Sequence, residues 1–254
     1  MDPINEFLTH LKNEGYSSNT IRTYKSALAL LADRDISVVT TTDIMRILAR
    51  YEDPATAAVR LSALNTFFEW AEEKRLVRYN PAEHVGSIHN KERLPAPILG
   101  DDLKKIFDFI NTMLLTDQAY FYLIRFLALK PSEALFLRVQ DISWTDQVVI
   151  IRSPHYKRYI PFTAGETELF MLLRKLCRER EGPLFISNRQ RQGSYYWAYR
   201  RWKRVMNNTG LDYTIEQLRQ VRIIEWINDG IPRKTISRWV GGLNSMFDDY
   251  YMEG

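Results

Sequence analysis

The stretch that most constrains this chain is residues 82–97, AEHVGSIHNKERLPAP, where helical periodicity stops. Pro95 and Pro97 stiffen the backbone, and Lys91 and Arg93 bring charge into a segment without an apolar stripe. Such a stretch between two periodic regions predicts a linker, set here at residues 89–98. The 254 residues then divide into a first domain at 1–88 and a second at 99–254. A chain of this size buries on the order of 70% of its unfolded surface and needs no metal or disulfide staple.

The first domain reads as four helices. Residues 3–14 place Ile4, Phe7, Leu8 and Leu11 at helical spacing. After the break at residues 16–20 a second helix starts near Thr20, with Ile21, Tyr24, Leu28 and Leu31 on one stripe. Thr41-Thr42-Asp43 opens a short helix carrying Ile44, Ile47 and Leu48. Asp53-Pro54 opens a fourth, with Val59, Leu61, Leu64, Phe67, Phe68 and Trp70 assigned to its apolar face.

The second domain is mixed. Residues 101–112, 117–129 and 132–138 read as helices. Residues 148–151 and 159–162 are strand-like runs flanking Ser153-Pro154-His155-Tyr156, which predicts a hairpin. From Glu166 the pattern is helical almost to the end, with breaks at Gly182-Pro183, residues 207–210, residues 229–232 and Gly241-Gly242. The fold class is therefore mainly α with a small β-hairpin or sheet, α+β.

The net charge, 35 Lys and Arg against 31 Asp and Glu, is only +4 and names no partner. Its distribution says more. Arg189, Arg191, Arg200, Arg201, Lys203 and Arg204 lie in one stretch without an acid, interleaved with Tyr195, Tyr196, Trp197, Tyr199 and Trp202. Guanidinium forks suit phosphates, and aromatics stack on bases or pack under basic side chains, so the stretch reads as a nucleic-acid surface. It reads equally as an amphipathic helix with a solvated basic face and aromatics in the core. Lys157 and Arg158, in the hairpin, add to the same patch.

Several chemistries are excluded. One cysteine, Cys177, leaves no disulfide framework and no CxxC zinc site, and four scattered histidines form no HExxH pair, so no metal is expected. There is no P-loop, no GxGxxG and no GxSxG, so no nucleotide cofactor, small-molecule substrate or serine nucleophile is implied. No apolar run reaches the roughly 18 residues of a membrane helix, and the start of the chain is acidic and polar where a signal peptide would be basic then apolar. The expectation is a protein of the cell interior, cytoplasmic and free of membrane.

The order of elements resembles the tyrosine recombinase, or phage-type integrase, family. Residues 7–24, FLTHLKNEGYSSNTIRTY, resemble that family's opening helix and S-x-x-T-x-x-x-Y pattern, and Asn65–Ala71 with Arg78-Tyr79-Asn80-Pro81 resembles the end of its first domain. Residues 127–141, LALKPSEALFLRVQD, are similar to its TGLRxSELLxLxWxD box. EQLRQVRIIEWINDG at 216–230 and ISRWVGGLNSMFDDYY at 236–251 are similar to HxLRHTFATxLLxxG and IxxLLGHxxxxxTxxY.

The resemblance implies a helical core-binding domain, a catalytic-type domain, and double-stranded DNA as partner, bound as a clamp and by a homo-oligomer. In the family's reaction a tyrosine attacks a phosphodiester to give a 3′-phosphotyrosine, without cofactor or metal. Two arginines hold the oxygens where charge develops, a hairpin lysine protonates the leaving oxygen, and two further donors complete the pocket.

Carried over by position, the nucleophile falls on Tyr251, with Tyr250 one residue out of register, and the second arginine on Arg219. Lys130 stands for the first arginine, Glu216 and Gly242 for the two donors, and the hairpin lysine position falls on Arg152 or Ser153, with Lys157 nearby. Each departure has a consequence. Lysine lacks the two-pronged guanidinium. A carboxylate about 4 Å from a phosphate oxygen repels it by up to about 4 kcal/mol at an effective dielectric near 20. Glycine donates nothing from a side chain, and arginine is a poor general acid.

Two functions are therefore expected as alternatives. One is a DNA-binding family member that has lost efficient cleavage. The other is an active, diverged recombinase acting through Tyr251. Tyr250 and Tyr251 also have a purely structural reading, as caps on an apolar seam.

Overall fold

A computed structural model describes residues 2–31, 34–86, 95–153, 156–162, 166–178, 180–186 and 192–252. Its contacts divide the chain into two units, residues 1–92 and 93–254. Residues 95–98 already pack on the second unit: Ile98 is buried there, and the Ala96 carbonyl accepts from Gln217 Nε2 at 2.9 Å.

The first unit is built from α1 (Pro3–Asn13), α2 (Ser18–Leu28), α3 (Thr41–Leu48) and α4 (Pro54–Glu73). Each begins where a side chain can satisfy first-turn N–H groups. Asp2, Ser17, Thr40 and Asp53 all accept from backbone amides two or three residues on, an arrangement worth about 1 kcal/mol each. The S-x-x-T-x-x-x-Y pattern has a physical basis here. Ser17 caps α2 through the Thr20 amide, and Tyr24, two turns in, reaches Thr66 Oγ1 on α4 at 3.4 Å.

The core gathers Phe7, Leu28, Ile44, Leu64, Phe67 and Phe68, with the Phe7 ring against Tyr24, Phe67 and Trp70. Val59 departs from the expected stripe. It lies on the exposed side of α4, which buries Ala57, Ala63 and Leu64 instead. Asn80 is buried because it closes the unit, donating to Asn65 Oδ1 at 2.9 Å and accepting from the Ala82 amide.

The second unit centres on α6 (Leu115–Leu127), whose residues 119–125 and Leu127 are all buried. A helix apolar on every side must be enclosed, and α6 is flanked by α5 (Gly100–Ile110), α7 (Pro131–Phe136), α8 (Thr167–Cys177) and α10 (Ile215–Asn228). The charges inside are paired. Arg125 forks onto Glu225 at 2.9 and 2.5 Å, and Arg222 joins Glu225 to the fully buried Glu166 at 3.2 and 2.6 Å.

A three-stranded antiparallel sheet follows α7, in the order β1 (Ile142–Ser143), β2 (Val148–Arg152), β3 (Lys157–Pro161). β1 has only two residues, too few for a readable alternation, and was not anticipated. The β2–β3 register pairs Val149 with Ile160, Ile151 with Arg158 and Arg152 with Lys157.

Residues 180–186 are not helical, and the break expected at Gly182-Pro183 falls within them. Gly182-Pro183 turns the chain so that Leu184 bonds back to Leu137 and buries Leu184 and Phe185. Then come α9 (Tyr195–Thr209), α10, α11 (Arg233–Val240) and the short α12 (Asp248–Met252).

Candidate functional site

The site begins where α6 ends. Ala128 adopts a left-handed conformation, φ +47°, which costs a non-glycine residue on the order of 1–3 kcal/mol. That turn aims the Ala128 carbonyl at α10, where it accepts from Arg219 Nε at 2.7 Å. Arg219 also reaches the Val240 carbonyl at 3.5 Å, at the end of α11. Its side chain is 13% exposed. Burial pushes its pKa down, Glu216 and Glu133 hold it up, and Arg158 adds to the depression.

Two residues beyond Ala128, Lys130 precedes α7, with Pro131 at the first helical position. The Lys130 amide donates to Glu133 Oε2 at 2.9 Å, and the same oxygen accepts from Arg158 Nη2 at 2.5 Å. Arg158 and Glu133 are both buried in this pair. Residues from α7, β3, α10 and the end of α11 thus converge on one charged cluster.

Glu216 belongs to it only loosely. Its carboxylate is half-exposed and 3.9 Å from Arg219 Nη1, a contact worth about 0–1 kcal/mol. Gly242 offers only backbone, in open space.

The hairpin splits by strand alternation. Arg152 and Lys157 face each other on the outer side. Arg152 donates through Nε to Asp141 at 2.7 Å, and Lys157 is exposed over the Tyr159 ring at 5.3 Å. Arg158, one residue on, shares the inner face with Ile160. A cavity of about 460 Å³ lies beside α7 and the hairpin, with Lys130, Glu133, Asp141, Arg152 and Ser153 among its lining residues.

Tyr251 sits in different company. Its hydroxyl is buried with no hydrogen-bond partner among the described residues. Arg233 lies 5.7 Å over its ring and ion-pairs with Asp248 at the start of α12. Burial raises the Tyr251 pKa, Arg233 opposes this and Asp248 adds to it. Tyr250, beside Tyr251, packs against Phe247.

The phage integrase family model matches residues 98–251, and the phage integrase N-terminal SAM-like domain model matches residues 4–75. The chain belongs to the phage integrase family. Tyrosine recombinase XerC of Thermodesulfovibrio yellowstonii is 27% identical over 207 residues, covering 73% of this chain and 69% of that protein. Tyrosine recombinase XerA of Pyrococcus horikoshii is 26% identical over 252 residues, covering 96% and 86%.

The fold is also that of the lambda integrase (75–356) dimer bound to a COC′ core site, with a TM-score of 0.77 at 19% identity, covering 95% of this chain and 94% of that one. It is likewise that of the Tn1549 transposon integrase in complex with circular intermediate DNA, with a TM-score of 0.74 at 16% identity, covering 99% and 95%.

Within this integrase-family unit the basic stretch divides along α9. Trp202 is buried and Trp197 packs edge-on to the buried Tyr120 at 5.3 Å, so these two aromatics serve the core. Arg201 turns inward with them. Its Nε donates to the buried Asp117 at 2.5 Å, and its guanidinium lies 3.9 Å over Trp197. Arg200, Lys203 and Arg204 remain exposed, as do Tyr195, Tyr196 and Tyr199. Lys91, Arg93, Arg189 and Arg191 lie outside the described residues.

Two features escaped the sequence reading. Glu133 organises the cluster, and its signal was the three-residue offset from Lys130 typical of a capping box. Arg158 was expected on the exposed patch but is turned inward, which the two-residue offset from the apolar Ile160 encodes.

Proposed function

We propose that this integrase-family chain binds duplex DNA through its phosphate backbone, and that its site retains a phosphate-holding half while the cleaving half is impaired. The observation that carries this reading is the contrast between the surroundings of Arg219 and those of Tyr251, on the neighbouring helices α10 and α12. Arg219 is rigidly placed by two backbone carbonyls, whereas the Tyr251 hydroxyl is buried beside Arg233.

In this reading Arg219 and Lys130 hold the non-bridging oxygens. Arg152 and Lys157, on the outer face of the hairpin, and Arg200, Lys203 and Arg204 on α9 contact flanking phosphates. Lys130 is a point charge in place of a fork. Glu216 opposes the incoming phosphate, and Gly242 supplies no side-chain donor. Each lowers transition-state stabilisation without abolishing binding. The first unit, 1–88, acts as a core-binding domain and 99–254 as a catalytic-type domain. The related XerC and XerA proteins are tyrosine recombinases, and the lambda integrase structures are dimers or tetramers on DNA, which supports DNA as the partner and a homo-oligomer on it.

One observation favours the second reading, an active recombinase. α12, which carries Tyr251, packs against α10, which carries Arg219, so the tyrosine and the arginine ride on neighbouring helices.

Binding is tested by fluorescence anisotropy of a labelled duplex between about 50 and 200 mM salt. Affinity should fall steeply, and Arg219→Met should weaken binding by about tenfold, the loss of one charge-assisted contact. A salt-independent signal, or no binding at low salt, contradicts the reading.

A further inference from the structure

The guanidinium of Arg158 is under-used. Its Nη2 holds Glu133, while Nε and Nη1 are buried and have no hydrogen-bond partner among the described residues. The side chain is 6% exposed. Buried polar donors nearly always have an acceptor, so a pair left open calls for a ligand that supplies one.

The surroundings say what kind. Nη1 lies against Gly241, which has φ +75°, and any Cβ there would collide with it. Glycine at 241 thus lets the backbone pass directly over the guanidinium. The same residues border a cavity of about 540 Å³ beside β3 and α11, with Lys157, Arg158, Ser237, Arg238 and the Gly241-Gly242 backbone in its wall. Lys157 and Arg238 are exposed at its edge, Arg158 is buried within it, and no acid is among its described lining residues. Glu133, which neutralises one arm of Arg158, is not among the described residues of that wall.

We propose that this cavity is a phosphate-binding pocket, with Arg158 as its buried donor and Lys157 and Arg238 as its rim charges. The phosphate belongs to the DNA backbone, so the proposal rests on the DNA-binding reading above; a free phosphate has the same chemistry and is separated from it by the test. Arg238, which no sequence motif singled out, is then a DNA-contacting residue.

The test uses the full chain as wild type, Arg158→Lys and Arg238→Met. Lysine at 158 keeps one positive charge for Glu133 but loses the remaining guanidinium donors, while Arg238 is on the surface and its loss leaves the core untouched. Two quantities are measured: affinity for a labelled duplex against salt, and the melting-temperature shift caused by inorganic phosphate relative to chloride at equal ionic strength. Arg238→Met should reduce the salt slope by about 0.9, one phosphate contact, and Arg158→Lys should weaken duplex binding by about tenfold. If wild type binds duplex and neither variant changes affinity or slope, the pocket is wrong and the DNA reading stands. If wild type does not bind duplex but is stabilised by phosphate, and Arg158→Lys abolishes that shift, the pocket stands as a free-phosphate site and the DNA reading falls. Neither duplex binding nor a phosphate shift in wild type overturns both. Should Arg158→Lys fail to fold, Arg238→Met and Lys157→Met decide the question through the same slope.

Discussion

Arg219 is fixed by carbonyls at the ends of two different helices, whereas Tyr251 rides on a five-residue helix held by apolar packing on the core and α10 and by one exposed ion pair, Arg233 with Asp248. The first arrangement is built from backbone groups of buried elements. It cannot move unless α6 or α11 moves. The second has no hydrogen bond to the phenol among the described residues, and its one ion pair is a surface contact of the kind worth about 0–1 kcal/mol. In this integrase-family chain Arg219 is placed by hydrogen bonds to backbone groups, and Tyr251 by apolar packing without a hydrogen bond to its hydroxyl among the described residues.

The largest expected effect comes from breaking the rigid half. Glu133→Ala leaves the buried Arg158 guanidinium uncompensated and frees the Lys130 amide, so the second unit should lose about 3–5 kcal/mol in denaturant or thermal unfolding. A loss below about 1 kcal/mol would mean that the Glu133–Arg158 pair does not hold the cluster together.

A smaller effect of opposite sign is expected at the turn that aims the Ala128 carbonyl. Glycine relieves the left-handed backbone at φ +47°, so Ala128→Gly should stabilise the second unit by about 1 kcal/mol. The matching rise in melting temperature is about 2–4 °C. Destabilisation instead would show that the alanine methyl packs in a way that outweighs the strain.

The smallest effect on stability is expected at the ion pair of α12. Asp248→Ala should change unfolding free energy by less than about 1 kcal/mol, yet hydrogen exchange should quicken across residues 248–252 while residues 215–228 stay protected. The seat of Tyr251 has its own pH dependence. Its raised pKa means that burial of the phenol contributes fully below the ordinary tyrosine pKa, and that this contribution is lost as pH rises through the higher folded value. Loosening of 248–252 at high pH should therefore vanish in Tyr251→Phe.

The difference between the two regions also marks what the sequence made legible. Helices opened by capping residues, such as α1, α3 and α4, begin within a residue or two of where they were expected, because caps are local properties. Arg219, Lys130 and Tyr251 were singled out through the resemblance. What the local pattern could not express was which neighbour each charge would meet.

Arg201 looks like a surface cation until Asp117, 84 residues away, is seen to take its Nε. Arg158 looks like part of a basic patch until β3 alternation turns it toward Glu133. Val59 reads as core, but α4 buries alanines at that level instead. The tether of Tyr251 joins Arg233 and Asp248, which have no shared motif. Each of these outcomes is set by tertiary contact.

The claim that the phosphate-holding half persists while the nucleophile is withdrawn is tested most directly by trapping a covalent intermediate. A pool of nicked duplexes, first enriched for binding to this chain, is incubated with wild type, Tyr251→Phe and Tyr250→Phe, and denaturing gels are read for protein–DNA adducts. The account predicts retained duplex binding in all three and no adduct above background. An adduct formed by wild type and lost in Tyr251→Phe would contradict it.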